Sequence, residues 1–157
     1  MRKRILLLLI AAALLIGCSD VSVRPVIGGW KLSDGSAAVA FKSDDTFIYS
    51  ESVEGAYECV LEGTYSVSLE QFDFKSARGT LTLRVPEGSI PTVDVNGTEV
   101  ELYSGLILSE GTNTIDFYWY ASDVPVMTWI FDENDSSKNY TFHLAGEEDY
   151  LDGRVSE

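Results

Sequence analysis

The chain has 157 residues, with 25 Asp and Glu against 11 Lys and Arg, a formal net charge of −14 at pH 7. So acidic a chain is repelled by nucleic acid and by anionic lipid head groups, which excludes both as partners of its surface. One histidine and two cysteines leave too little to build a zinc site or a disulfide framework.

Met1-Arg2-Lys3-Arg4 opens the chain with three cations, and Ile5 to Ile16 follows without a charge before Gly17 and Cys18. A basic start, an apolar run and a small-residue cleavage point form the pattern of a secretory signal helix. The run of twelve residues is shorter than the roughly 20 that a bilayer core needs. Leu15-Ile16-Gly17-Cys18 resembles the lipobox of bacterial lipoproteins. That resemblance implies that residues 1–17 are removed and that Cys18 is lipidated, with acyl chains holding the protein on a membrane of the cell envelope. At about 0.8 kcal/mol per buried methylene, several chains make such anchorage nearly irreversible. In enterobacterial lipoproteins an Asp after the cysteine signals inner-membrane retention; Ser19 stands there in this chain, so the resemblance implies the outer membrane.

Residues 18–25 then form the lipidated cysteine and a short linker. Residues 18–157, 140 in all, carry 8 Lys and Arg against the same 25 acids, a net of −17, and can bury about two-thirds of their surface as one domain. With Cys18 lipidated, Cys59 has no partner in its own chain, and apolar Val60 and Leu61 beside it predict a small packed hydrophobe.

From residue 26 to 146 short alternating runs bounded by turn residues recur, and no long stretch has helical spacing, which predicts an all-β domain. Val26–Leu32 reads as a first strand. Ala37–Lys42 and Thr46–Val53 flank the turn Ser43-Asp44-Asp45. Val60–Leu69 and Gly79–Val85 alternate strictly, Leu81, Leu83 and Val85 facing away from Thr80, Thr82 and Arg84, so one face is buried and one is wet. In "VDVNGTEVEL", residues 93–102, Asn96-Gly97 suits a type I′ turn and sets the register Val95 with Thr98, Asp94 with Glu99 and Val93 with Val100. Two carboxylates then lie opposite each other with Glu101 nearby, either a weak calcium site or a solvated acidic face.

Thr112–Tyr120, Val126–Asp132 and Asn139–Leu144 complete the strands. Ile115, Phe117 and Trp119 share one face of the first, with Tyr118 and Tyr120 on the other; Met127, Trp129 and Phe131 share a face of the second. The acidic tail 147–157 is expected to fray.

Gly28-Gly29-Trp30-Lys31-Leu32, "FKSDDTF" from Phe41 and Glu62-Gly63-Thr64-Tyr65 resemble, in type and order across residues 27–70, the lipocalin-like domains of small bacterial lipoproteins. The resemblance implies a single antiparallel meander barrel of about eight or nine strands, with Trp30 packed at its closed end. In lipocalins that Trp meets an Arg near the last strand; the last strand here carries none. "VDVNGTEVEL" and "LSEGTNTIDF" resemble instead the strands of bacterial immunoglobulin-like repeats, which implies a β-sandwich serving as adhesion or spacer module. The longer ordered series of motifs favours the barrel.

Groups that could converge on a substrate are few. His143 shares a face with Asn139 and Thr141, no nucleophile, metal-protease or phosphate-loop motif occurs, and "DENDSS" at 132–137 lacks the Gly and Glu of a calcium loop. No enzyme activity, metal or cofactor is expected. An eight-stranded barrel either fills with side chains or holds one small ligand. Phe117, Trp119, Met127, Trp129 and Phe131 therefore either line an apolar cavity for a lipid-like molecule or form the core. In the second case the outer face, with Tyr118 and Tyr120, is left to engage an envelope protein or a glycan.

Overall fold

The structure is a computed structural model that describes residues 25–103 and 105–145. The signal helix, Cys18, the linker before Pro25 and the tail 147–157 lie outside the described residues.

The described residues form ten strands: β1 (Gly28–Leu32), β2 (Ala37–Phe41), β3 (Thr46–Val53), β4 (Ala56–Phe72), β5 (Ser76–Val85), β6 (Thr92–Val95), β7 (Thr98–Glu101), β8 (Gly111–Tyr120), β9 (Val126–Ile130) and β10 (Tyr140–Ala145). Eight close into an antiparallel up-and-down barrel in the order β1-β2-β3-β4-β5-β8-β9-β10, and β6 and β7 form a separate hairpin. The barrel is sealed where β1 meets β10, with Trp30 opposite Leu144 and Leu32 opposite Phe142. Closure leaves no unpaired edge in the main sheet. The two-sheet sandwich does not form: of the two segments that suggested it, "VDVNGTEVEL" is the hairpin beside the barrel and "GTNTIDF" is a barrel strand.

Strict alternation explains β5, where Leu81, Leu83 and Val85 are buried while Thr80, Thr82 and Arg84 stay outside. Positive backbone angles explain the tight turns: Asn96 and Gly97 lie at φ 56° and 83°, giving the expected hairpin register of Val95 with Thr98 and Asp94 with Glu99. Glu54 and Gly55, at φ 51° and 89°, make an equivalent two-residue turn between β3 and β4.

β4 runs longer than its alternation predicts because two irregularities reset its phase, one opposite Tyr49 and Ser50 and one between Leu69 and Gln71. The first corrects the expectation for Cys59. Tyr49 pairs with Leu61 but Ser50 pairs with Cys59, so Val60 is an extra residue. Without it Cys59 would share the inward face of Leu61; with it the cysteine is turned out and exposed.

Four turns are pinned by aspartates that accept hydrogen bonds from the following residues, and these bonds hold their carboxyls below the ordinary range. The chief donor is the Ser36 amide for Asp34, the Thr46 hydroxyl for Asp44, the Lys75 amide for Asp73 and the Ser137 hydroxyl for Asp135. A carboxylate with a lowered folded-state pKa contributes stability that is complete above its unfolded value, near 3.9, and is lost as pH falls through the folded value. Thermal unfolding is therefore expected at lower temperature at about pH 3 than at about pH 5. Equal midpoints at the two pH values would show that these turns add nothing.

Candidate functional site

The inward faces of the strands meet in one continuous apolar core. Phe117, Met127 and Trp129 have no exposed surface. The Trp129 ring lies 4.6 Å from Phe142 and 6.5 Å from Phe41, and Phe41 in turn sits edge-on to Tyr65 at 4.8 Å. Trp119 packs against this core from one side and is only partly buried. Phe131 does not join them. β9 stops at Ile130, so Phe131 leaves the strand, is 45 % exposed and stands edge-on to Tyr140 at 5.5 Å. Three of the five aromatic-face residues are thus brought together, one flanks them and one turns to solvent.

Both ends of the barrel are stoppered. At the end where β1 begins, fully buried Val26 lies beneath Trp30, whose Nε1 donates to the Val26 carbonyl at 2.7 Å. The indole N–H of Trp30 is thus satisfied by the backbone four residues upstream. At the opposite end the segment between β7 and β8 folds inward. Leu108 joins the core, Ile90, Tyr103, Leu106 and Ile107 pack against it, and the Tyr103 hydroxyl donates to Glu58 at 3.2 Å. Glu58 pairs with Glu51 across β3 and β4, and Glu51 accepts from the Tyr49 hydroxyl at 2.8 Å. Burial, reinforced by Glu51, pushes the Tyr49 phenol far above its ordinary pKa, so it is a neutral donor at any physiological pH. Among the described residues one buried side-chain group is unmatched: the Nε1 of Trp129 has no hydrogen-bond partner.

The chain matches no family model, no curated protein and no solved structure.

A groove of about 450 Å³ lies on the outer face of β8 and β9, lined by Tyr118, Tyr120, Thr128, Ile130, Glu133 and Asn139. The alternation of β8 places both tyrosines outside, as the sequence predicts. Glu133 was not legible as a site residue because it belongs to "DENDSS", residues 132–137, a polar turn by composition, and Asn139 because the sequence places it at the start of the last strand. In the structure the connection from β9 to β10 contains the short 3-10 segment Ser136–Lys138 and supplies two lining residues of the groove. The position of Asn139, directly before β10, was the signal available.

The other candidates are dispersed. Every residue of β6 and β7 is exposed, Asp94 faces Glu99, and Asp94 is engaged by the Gly97 amide at 2.7 Å. Among the described residues no group of three or more His, Cys, Asp or Glu could hold a metal ion. His143 is exposed on the outer face, paired with Lys31 on one side and Val126 on the other. Among the described residues no helix is long and apolar enough to cross a membrane.

Cys59 is accessible, yet partial burial of its thiol, reinforced by the Glu62 carboxylate beside it, raises its pKa. Since the thiolate is the nucleophile, a maleimide is expected to label the native protein completely but more slowly at pH 7 than it labels a free cysteine. Full protection in the native state would restore the packed reading.

Proposed function

We propose that the protein is a lipid-anchored lipoprotein of the bacterial envelope, on the outer membrane, whose barrel serves as a non-catalytic interaction module. The lipobox-like run ending at Cys18 supports the anchor. The observation that supports interaction over carriage is the interior: a continuous core containing Phe117, Met127 and Trp129, stoppered by Val26 and Trp30 at one end and by Leu108 at the other. What the molecule offers a partner is then its outside. The linker enters the domain at Pro25, next to the end closed by Trp30. The opposite end, with the β6–β7 hairpin, therefore points away from the anchored end.

A second reading, a carrier of one small hydrophobic ligand, draws on the unmatched Trp129 Nε1, a buried donor that a ligand acceptor would satisfy.

Cys18→Ser tests the anchor. The variant is expected to lose incorporation of radiolabelled palmitate and to move from the membrane fraction to the soluble one. Retention in the membrane without label would sink the lipoprotein assignment. Native mass spectrometry of wild-type protein extracted from membranes tests the second reading. The lipidated mass alone is expected, and an additional non-covalent mass would favour the carrier.

A further inference from the structure

We infer that the outer groove on β8 and β9 is a binding site for an uncharged glycan. The inference rests on the reading of the barrel as an interaction module and names the partner of that module.

The floor of the groove is aromatic. Tyr118 and Tyr120 project from alternate positions of β8 with their ring planes 19° from parallel and their centroids 6.4 Å apart, and Tyr120 is 53 % exposed. Such side chains bury large area at small entropic cost when a ligand covers them. A sugar ring has the complementary chemistry, with axial C–H groups that stack on the negative face of an aromatic ring and hydroxyls around its rim. The groove matches the rim as well. The Asn139 Oδ1 accepts from the Phe131 and Asp132 amides at 3.0 and 3.3 Å, which fixes the side chain and leaves its Nδ2 as the donor. Glu133 supplies a carboxylate acceptor, and the Thr128 hydroxyl lies 3.3 Å from that of Thr141 on the neighbouring strand. These groups stand on strands and on a pinned turn, the rigid support that a preorganised site requires.

Charge selects among sugar polymers. The cation beside the groove, Arg78, lies over the Tyr118 ring with its guanidinium carbon 5.0 Å from the centroid. It also pairs with Glu133 at 3.1 Å and Glu70 at 3.7 Å. Its charge is already offset by two carboxylates, and the domain as a whole is strongly acidic, so a phosphorylated or uronic-acid chain is repelled. An acyl chain fits no better, since Thr128, Glu133 and Asn139 would lose water without a partner. At about 450 Å³ the groove falls within the range of small-ligand sites, roughly 300–1,000 Å³.

The probes are chitohexaose, maltohexaose and, as the charged control, hexagalacturonate, titrated into the 18–157 domain by isothermal calorimetry and followed by amide NMR shifts. The 18–157 chain keeps every residue that the structure describes. Saturable binding of at least one neutral hexaose is expected, with shifts on β8 and β9 and none of comparable size for hexagalacturonate. Tyr118→Ala and Tyr120→Ala should each weaken binding at least tenfold, while Val93→Ser on the distant hairpin leaves it unchanged. Far-UV circular dichroism confirms that each variant is folded, and Tyr120→Leu provides a variant that keeps apolar area but lacks the ring. No binding of either neutral hexaose, or binding that survives both alanine variants, overturns the inference. A photo-crosslinker at position 120 separates the two levels. If it traps an envelope protein while no glycan binds, the glycan inference fails and the interaction module stands. If it traps nothing and no glycan binds, both fail.

Discussion

Gly63→Ala is expected to destabilise the barrel by about 3 kcal/mol or more, a large share of the roughly 5–15 kcal/mol that holds an ordinary domain folded. Gly63 lies within β4, opposite Phe47. A methyl group on its Cα would sit 2.1 Å from the Arg84 carbonyl oxygen of β5 and 2.8 Å from the Phe47 ring. The ring could turn aside, but the carbonyl belongs to the neighbouring strand and can move only if β4 and β5 separate. Gly79 is held in the same way by the Ser68 carbonyl, 2.1 Å from its would-be Cβ. Both glycines mark places where strands bend sharply enough for one backbone to occupy the space of another's side chain. Gly105→Ala is the control. Its Cβ would meet open space, and the cost is only that of placing a side chain at φ +88°, about 1 kcal/mol. Urea unfolding of Gly63→Ala, Gly79→Ala and Gly105→Ala checks the ranking, and a Gly63→Ala midpoint no lower than that of Gly105→Ala would refute the steric account.

That glycine also shows what can be read from residues in order and what cannot. The sequence Glu62-Gly63-Thr64-Tyr65 stands out as a motif, yet the reason for its glycine is a carbonyl more than twenty positions away. Strands with an even rhythm were legible: β5 and β8 alternate without interruption, and the Asn96-Gly97 turn fixes its own register. Cys59 was not, because a single extra residue at Val60 reverses which neighbours face inward, and nothing local announces a bulge. Phe131 was misplaced for a related reason. The apolar rhythm of "VMTWIF" runs one residue past the last hydrogen-bonded position of β9. The segment around Leu108 has no periodicity at all, so its insertion into the barrel end could come only from the three-dimensional arrangement. Tyr118 and Tyr120 of the groove were visible as outer positions of β8, and Thr128 and Ile130 occupy the outer positions of β9; Glu133 and Asn139 come from a connection whose composition reads as solvent.

The two fully buried tryptophans are expected to respond unequally to the same conservative change. Trp30→Phe removes the donor to the Val26 carbonyl and strands a buried acceptor. The unsatisfied group costs about 1–3 kcal/mol and the lost ring volume adds to it, so a total of about 2–4 kcal/mol is expected. Trp129→Phe removes an N–H that has no partner. The desolvation cost of that orphan disappears, which offsets the smaller packing volume, and the net change should lie within about 1 kcal/mol of zero. Alanine at either position should cost about 3–5 kcal/mol, because both side chains are fully enclosed and the cavity term dominates. Urea unfolding followed by far-UV circular dichroism, which does not depend on tryptophan as the probe, distinguishes the two. A Trp129→Phe variant as unstable as Trp30→Phe would mean that the Trp129 Nε1 is satisfied in the protein as isolated. The acceptor would then have to come from something held inside the barrel, and the carrier reading would displace that of a solid interaction module.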